Sequence, residues 1–213
     1  LKMNSPIAIT VLKGEFIEKQ VSVSAADLLK NVPGVYVNSS NGEIRNSVAS
    51  RGITVGTQDG SFGYEYVSMQ EDGLPITNTT YYNYGPDFFL RADATIAQLD
   101  AVRGGSSSIT TANAPGGIFN YVSKTGGNKF GGEVRMRTGL QGANNNGLYR
   151  TDANFGGPLG DNWFYNVGGF YRYDLGARSP GDYPLNNGGQ IKANIVKKYN
   201  TGTLKLFVKY LKD

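Results

Sequence analysis

The feature that most constrains the fold is an alternation of apolar and polar residues with a period of two, which fills the second half of the chain. Five segments of roughly ten residues show this alternation between turn residues: 130–140, 149–159, 163–175, 191–199 and 203–211. In the last segment, apolar side chains occupy the even positions from Leu204 to Tyr210, with Lys205 and Lys209 between them. Because successive side chains of a strand point to opposite faces, the pattern predicts five β-strands, each with one apolar and one charged face.

The connections between these segments differ in length. Short turns lie at 158–162 and 199–202, whereas 176–188 is a long stretch rich in Gly, Pro and Asn. Short turns at one end and longer loops at the other are typical of an outer-membrane β-barrel. A soluble antiparallel sheet with one face on a core alternates identically, so the period alone leaves both structures open. Membrane barrels have about eight strands or more, so a barrel would be incomplete in this chain and would continue beyond Asp213.

Composition removes several classes of function. The chain of 213 residues contains no Cys and no His, which excludes a disulfide framework, a thiolate metal site and a histidine-based catalytic triad. No stretch reaches about 18 apolar residues, so no transmembrane helix is predicted. Residues 1–126 hold nine Lys/Arg and eleven Asp/Glu, a net charge of −2, and residues 127–213 hold twelve and six, a net charge of +6. A basic half is compatible with binding to nucleic acid, but the strand pattern favours a water-exposed basic surface with a different role.

The first half mixes short elements. Strands are predicted at 7–11, 35–37, 67–70 and 96–102, and Ser24 is placed to cap a short helix over 25–30 that ends at Pro33-Gly34. Turn signals follow at Asn41-Gly42 and at Asp72-Gly73. These elements predict a small α+β domain with many loops.

The stretch 102–126, VRGGSSSITTANAPGGIFNYVSKTG, resembles a phosphate-binding loop only superficially. A Walker motif needs Gly directly before Lys, and here Ser123 precedes Lys124. A plain linker is also disfavoured, because residues 118–122 (IFNYV) are typical of a strand.

Four motifs in order resemble those of the TonB-dependent outer-membrane receptors. They are Asn31-Val32-Pro33-Gly34-Val35, Ser50-Arg51-Gly52-Ile53, Asp72-Gly73-Leu74-Pro75-Ile76, and a long signature over 96–126 that includes Leu99-Asp100-Ala101-Val102-Arg103-Gly104 and Ala114-Pro115-Gly116-Gly117-Ile118. The resemblance covers residues 5–126, and the alternating segments follow where such a receptor has its barrel.

This resemblance implies an α+β plug domain over residues 1–126 and the first five or so antiparallel strands of a transmembrane β-barrel over 127–213. It implies active transport across the bacterial outer membrane, with TonB as the energy-coupling partner and lipid around the barrel. The short N-terminal box that pairs with TonB is not recognisable in the sequence, and it is expected upstream of Leu1. The most favoured cargo is a ferric siderophore or similar chelate; an oligosaccharide, in some members handed over by a surface lipoprotein, is the alternative.

The resemblance also implies roles for particular residues. Arg51 and Arg103 match plug arginines that pair with barrel glutamates and so act as a plug–barrel latch; the alternative is an ordinary solvated arginine. Tyr81, Tyr82 and Tyr84 lie in an aromatic-rich loop and are candidates for contact with substrate, or else pack between plug and barrel.

No catalytic residue, metal site or cofactor is predicted, since the chain lacks a nucleophile–base pair and a set of metal ligands. A different class of protein stays open at this point, namely a soluble β-sheet binding module with a basic face, for which nucleic acid would be the natural partner. The apolar face of the strands argues against it, because little of the chain is left to cover that face.

Overall fold

A computed structural model describes residues 8–22, 24–39, 46–55, 67–76, 89–104, 107, 111, 114–142, 144–176 and 186–212. The chain divides into two compact units. The first comprises residues 1–92 and 96–123, and the second comprises residues 93–95 and 124–213.

The described part of the first unit contains a five-stranded sheet and a three-stranded sheet. The large sheet has the order β1-β7-β8-β5-β6, from β1 (Ala8–Lys13), β7 (Ile96–Arg103), β8 (Gly117–Ser123), β5 (Val67–Glu71) and β6 (Leu74–Pro75). Its pairings are antiparallel except for the parallel pair β5 and β8. The small antiparallel sheet has the order β2-β3-β4, from β2 (Val35–Asn38), β3 (Ser47–Ser50) and β4 (Ile53–Val55).

Within the described residues, two short helices accompany these sheets. The sequence prediction missed α1 (Gly14–Gln20), a helix of seven residues without a side-chain cap at its N-terminus. The predicted helix after Ser24 is present as a 3₁₀ helix, Ala26–Asn31, and the Ser24 hydroxyl accepts a hydrogen bond of 3.0 Å from the backbone N–H of Asp27. The predicted turn at Asn41-Gly42 lies outside the described residues.

The core of the first unit lies between the sheets and the helices. It contains fully buried apolar side chains from the 3₁₀ helix and from strands of both sheets, among them Leu28, Leu29, Val48, Met69, Leu99 and Phe119. Tyr121 is also buried, and its hydroxyl donates a hydrogen bond of 2.8 Å to the Ala25 carbonyl. A buried Tyr hydroxyl needs such a partner, so this bond fixes the start of the 3₁₀ helix against β8.

The second unit is an antiparallel meander with the order β13-β12-β11-β10-β9, and this sheet is not closed within the described residues. Its strands are β9 (Gly131–Gln141), β10 (Asn146–Gly160), β11 (Trp163–Asp174), β12 (Asn186–Lys198) and β13 (Thr203–Lys212). The five predicted strands are therefore present and in the predicted chain order. Asp161 and Asn162 have φ values of 47° and 61° and form the tight turn from β10 to β11, since a two-residue hairpin turn of this kind needs positive φ at both positions.

The two faces of this sheet differ in exposure. The apolar face is open to the surroundings, with Met136 79 % exposed and Leu140 72 % exposed. The polar face carries buried charged and amide side chains, with Arg150 5 % exposed and Asp152 6 % exposed. A water-soluble sheet that rests on a core has the opposite distribution. Among the residues that the structure describes, no helix is both long and apolar enough to cross a membrane.

Candidate functional site

Arg51 occupies the tight turn between β3 and β4. Its φ of 52° is left-handed, a conformation that a residue with a side chain adopts only under strain of about 1–2 kcal/mol. The backbone N–H of Arg51 donates a hydrogen bond of 3.0 Å to the carbonyl of Gly34. This bond ties the β3–β4 turn to the Pro33-Gly34 turn.

The side chain of Arg51 lies against the backbone of Gly104. A Cβ atom at Gly104 would be 2.8 Å from Nη1 of Arg51, and Gly104 has a φ of +97°. Both observations favour Gly at position 104, because a residue without a Cβ atom allows the guanidinium of Arg51 to approach the end of β7.

Arg103 lies at the end of β7, one residue before Gly104. Its Nη2 donates a hydrogen bond of 2.8 Å to the hydroxyl of Thr10 on β1, and its Nη1 donates to the carbonyl of Pro33. One guanidinium therefore joins β1, β7 and the turn after the 3₁₀ helix. The acceptors at Pro33 and Thr10 could not be predicted from the motifs, since one is a backbone carbonyl and the other lies outside all four motifs.

The glycine-rich signature over 96–126 also packs beside Arg51 and Arg103. The Ser50 hydroxyl donates a hydrogen bond of 2.5 Å to the carbonyl of Gly116. Gly117 has a φ of +127°, and a Cβ atom there would lie 2.8 Å from the carbonyl oxygen of Val102. Three of the four motifs thus converge around Arg51 and Arg103, and the glycines allow backbone to pack directly on backbone.

The convergence produces a concentrated positive charge. Burial, and then the neighbouring Arg51, lower the pKa of Arg103. A guanidinium nevertheless stays protonated in proteins, so two cations stand side by side. Among the described residues, neither side chain forms an ion pair with a carboxylate, and the buried Nε of Arg103 has no hydrogen-bond partner. The arrangement is suited to accept a carboxylate.

The remaining motif, Asp72-Gly73-Leu74-Pro75-Ile76, has a structural role in the first unit. Asp72 has a φ of 53°, and its carboxylate accepts hydrogen bonds from the backbone N–H (2.8 Å) and the hydroxyl (2.6 Å) of Ser123. Asn120 accepts a bond of 2.8 Å from the N–H of Gly73. The Asp-Gly turn is therefore fastened to β8, and its carboxylate is occupied.

The other predicted site residues are Tyr81, Tyr82 and Tyr84, and they lie outside the described residues. Within the described ranges, no group of three or more acidic residues is placed to hold a metal ion.

Comparison with known proteins gives this geometry a family context. Residues 1–118 match the family model of the TonB-dependent receptor plug domain. An iron-regulated outer membrane virulence protein of Vibrio cholerae is 28 % identical over 165 residues, which are 74 % of this chain and 24 % of that protein. The ferrioxamine B receptor of Salmonella typhimurium is 27 % identical over 164 residues, which are 75 % of this chain and 21 % of that receptor.

The fold is also shared with a solved receptor. FpvA of P. aeruginosa, in complex with pyoverdine and iron, superimposes with a TM-score of 0.74 at 20 % identity, over 98 % of this chain and 25 % of that one. The predicted fold class, a plug domain followed by antiparallel barrel strands, is thereby confirmed. The chain spans about a quarter of the length of the curated relatives it matches. Because the plug-domain model covers more than half of its residues, the chain belongs to the family of TonB-dependent receptors.

Proposed function

We propose that this chain forms the plug and first barrel strands of a receptor of the bacterial outer membrane, which imports a ferric siderophore with energy supplied through TonB. The observation that carries this proposal is a plug domain followed directly by a sheet whose apolar face is exposed and whose polar face is buried. Such a sheet is suited to lipid on one side and to a polar lumen on the other. In this proposal residues 1–126 are the plug and residues 127–213 the barrel strands.

The relatives support a chelate as cargo. One of the proteins described above is named for ferrioxamine B, one is bound to a pyoverdine and iron in its solved structure, and the third is named as iron-regulated. This favours a ferric chelate over an oligosaccharide. The family consists of receptors and transporters, which confirms the expectation that the chain is not an enzyme. Membership of this family also argues against the alternative of a soluble binding module.

A direct test uses the full-length receptor in its source cell under iron limitation. Deletion of its gene should abolish TonB-dependent uptake of at least one ⁵⁵Fe chelate, and the complete gene should restore that uptake. Loss of TonB should have the same effect as loss of the receptor. Unchanged uptake of every iron chelate, together with lost growth on a glycan, would favour the oligosaccharide importer instead.

Arg51 and Arg103 are proposed as the latch that holds the plug through barrel carboxylates. The adjacent cations and the buried Nε of Arg103 support this role, because a carboxylate would neutralise the first and satisfy the second. Arg51 gives the cleaner test, since Arg103 also bonds Thr10 and Pro33.

The substitution Arg51→Gln should leave chelate binding within about twofold of wild type but make the barrel leaky. Cells should then become more sensitive to large antibiotics that barrels normally exclude. The control is Lys19→Gln, the same loss of charge at an exposed position of α1. Equal sensitivity of the two variants would refute the latch at Arg51.

Tyr81, Tyr82 and Tyr84 are proposed as substrate contacts at the outer apex of the plug. The support is chemical, since Tyr rings present a flat amphipathic surface to a chelate or a sugar.

A further inference from the structure

A single charged residue lies on the otherwise apolar face of strands β9 to β12. Ile191 and Ile195 of β12 are on this face, 61 % and 42 % exposed, and Lys197 follows with the same period of two. Lys197 lies directly opposite Trp163 of β11 and Leu204 of β13, and both of these side chains are exposed on the apolar face. The other positions of this face in the four described strands carry no Asp, Glu, Lys or Arg.

The ammonium group of Lys197 is held beside two aromatic rings. Its Nζ lies 5.1 Å from the centre of the Trp163 ring and 5.9 Å from the centre of the Tyr199 ring, which is the range of a cation–π interaction. The same Nζ donates a hydrogen bond to the backbone carbonyl of Asp161 in the tight turn. These contacts fix the position of the charge at the end of β12.

The ammonium of Lys197 can still bind an anion. A Lys ammonium has several N–H donors, and within the described residues its hydrogen-bond acceptor is the Asp161 carbonyl. The aromatic rings attract the cation but do not neutralise it. In the part of the chain that the structure describes, no carboxylate forms an ion pair with Lys197. A positive charge and N–H groups are therefore available to an anionic acceptor.

The surroundings of Lys197 combine exposed apolar surface with an excess of positive charge. Leu159 and Tyr199 are 60 % and 54 % exposed at the same end of the sheet. Residues 159–163 and 195–205, which form this end of β10 to β13, contain three lysines and one acidic residue. This combination is suited to a ligand that has both a hydrocarbon part and an anionic head group.

This end of the sheet is the one with the short connections. Residues 161–162 join β10 to β11 and residues 199–202 join β12 to β13, whereas the longer connection 175–185 lies at the other end. Short turns of outer-membrane barrels lie on the periplasmic side, where the leaflet of the bilayer consists of phospholipid. Charged residues are tolerated on a lipid-facing surface near the interface, and aromatic rings are enriched there. Under the proposed function, Lys197 lies at the depth of the phospholipid head groups.

We propose that Lys197, together with Trp163 and Tyr199, forms a binding site for the phosphate of an anionic phospholipid in the periplasmic leaflet. The inference rests on the proposed function, because only a membrane-spanning sheet places this face in lipid. The ammonium donates hydrogen bonds to the phosphate, and the two rings contact the region between head group and acyl chains. The surplus of lysines selects an anionic head group over a zwitterionic one.

The test measures the binding of single lipid molecules to the purified full-length receptor by native mass spectrometry. The probes are phosphatidylglycerol and phosphatidylcholine with identical acyl chains, each titrated into the receptor in detergent. At the tightest site, phosphatidylglycerol should bind about fivefold more strongly, because a Lys near a membrane surface contributes an attraction of this size to an anionic lipid. Equal affinity for the two lipids would overturn the proposed site.

A matched set of variants then locates the site. Lys197→Gln should weaken binding of phosphatidylglycerol about fivefold, and Lys197→Arg should stay within about twofold of wild type, because a guanidinium also binds phosphate. The control is Lys205→Gln, which removes a charge near the same end of the sheet but from the opposite face, since Lys205 pairs with the buried Val196. This control should change the affinity by less than about twofold. Equal losses in the two Gln variants, or no loss in a folded Lys197→Gln receptor, would place the lipid elsewhere.

Flotation separates a failure of this inference from a failure of the proposed function. Each variant is first checked for the wild-type shift of folded receptor on an unheated gel, and is then mixed with phosphatidylcholine vesicles and centrifuged through a density gradient. A receptor that floats with the vesicles but does not prefer phosphatidylglycerol would lose this site and keep the proposed function. A full-length receptor that does not enter the vesicles would overturn both.

Discussion

Arg103 stabilises the first unit itself, because its guanidinium holds β1 and the Pro33-Gly34 turn at the same time. We expect Arg103→Lys to destabilise the first unit by roughly 1–2 kcal/mol, since a single ammonium cannot reproduce the fork that reaches two acceptors. Thr10→Val should lose about 1 kcal/mol by removing one acceptor while keeping the shape of the side chain. Hydrogen exchange of residues 8–38 in the full-length receptor measures the free energy of opening of this region in each of the two variants.

The double variant separates a direct bond from two independent effects. If the bond of 2.8 Å between Nη2 and the Thr10 hydroxyl stabilises the unit, the losses of the two single variants should fall short of additivity by about 0.5–1 kcal/mol. Fully additive losses would mean that Arg103 stabilises the unit through Pro33 alone.

At the scale of the element, the pairing of β11 with β12 depends on close approach of backbone at Gly169. A Cβ atom there would lie 1.9 Å from the carbonyl oxygen of Gln190, and φ is +154°. We therefore expect Gly169→Ala to separate the two strands locally and to lower the yield of folded receptor severalfold. The control is Gly139→Ala on β9, where an added Cβ meets nothing within 4 Å. The measurement is the fraction of receptor that keeps its folded mobility on an unheated gel, and equal fractions for the two variants would contradict the prediction.

The strands and turns also show how much of the fold could be predicted from the sequence. The five strands from β9 to β13 were predictable because a period of two is a local property of each segment. The hairpin of β3 and β4 was not predicted, since its turn contains Arg51 at a φ of 52° in place of the usual Gly or Asn. The contact of Arg51 with Gly104 joins residues that are 53 positions apart, and the placement of Arg137, Arg150 and Arg172 directly opposite one another on neighbouring strands depends on strand register. Neither can be derived from a single segment.

At the scale of the whole molecule, the exposed apolar face predicts how the receptor responds to a charge placed on it. Val167 lies on this face, inside β11, and is 40 % exposed. If the face contacts lipid, Val167→Arg should destabilise the folded receptor by about 2–4 kcal/mol, because a charge near the middle of the bilayer loses its hydration. If the face were in water, the same exposed substitution would change stability by only about 0.5 kcal/mol.

A control substitution shows whether any loss of stability at Val167 comes from lipid around the sheet or from Arg being unfavourable anywhere on it. Tyr199 is exposed and follows β12 at the turn to β13, where the proposed barrel meets water. Tyr199→Arg should therefore cost only about 0–1 kcal/mol. Urea titration of the full-length receptor in lipid vesicles gives both values. A large difference between the two positions would place lipid along β11 and water at the turn, whereas equal small effects would contradict a membrane-facing sheet.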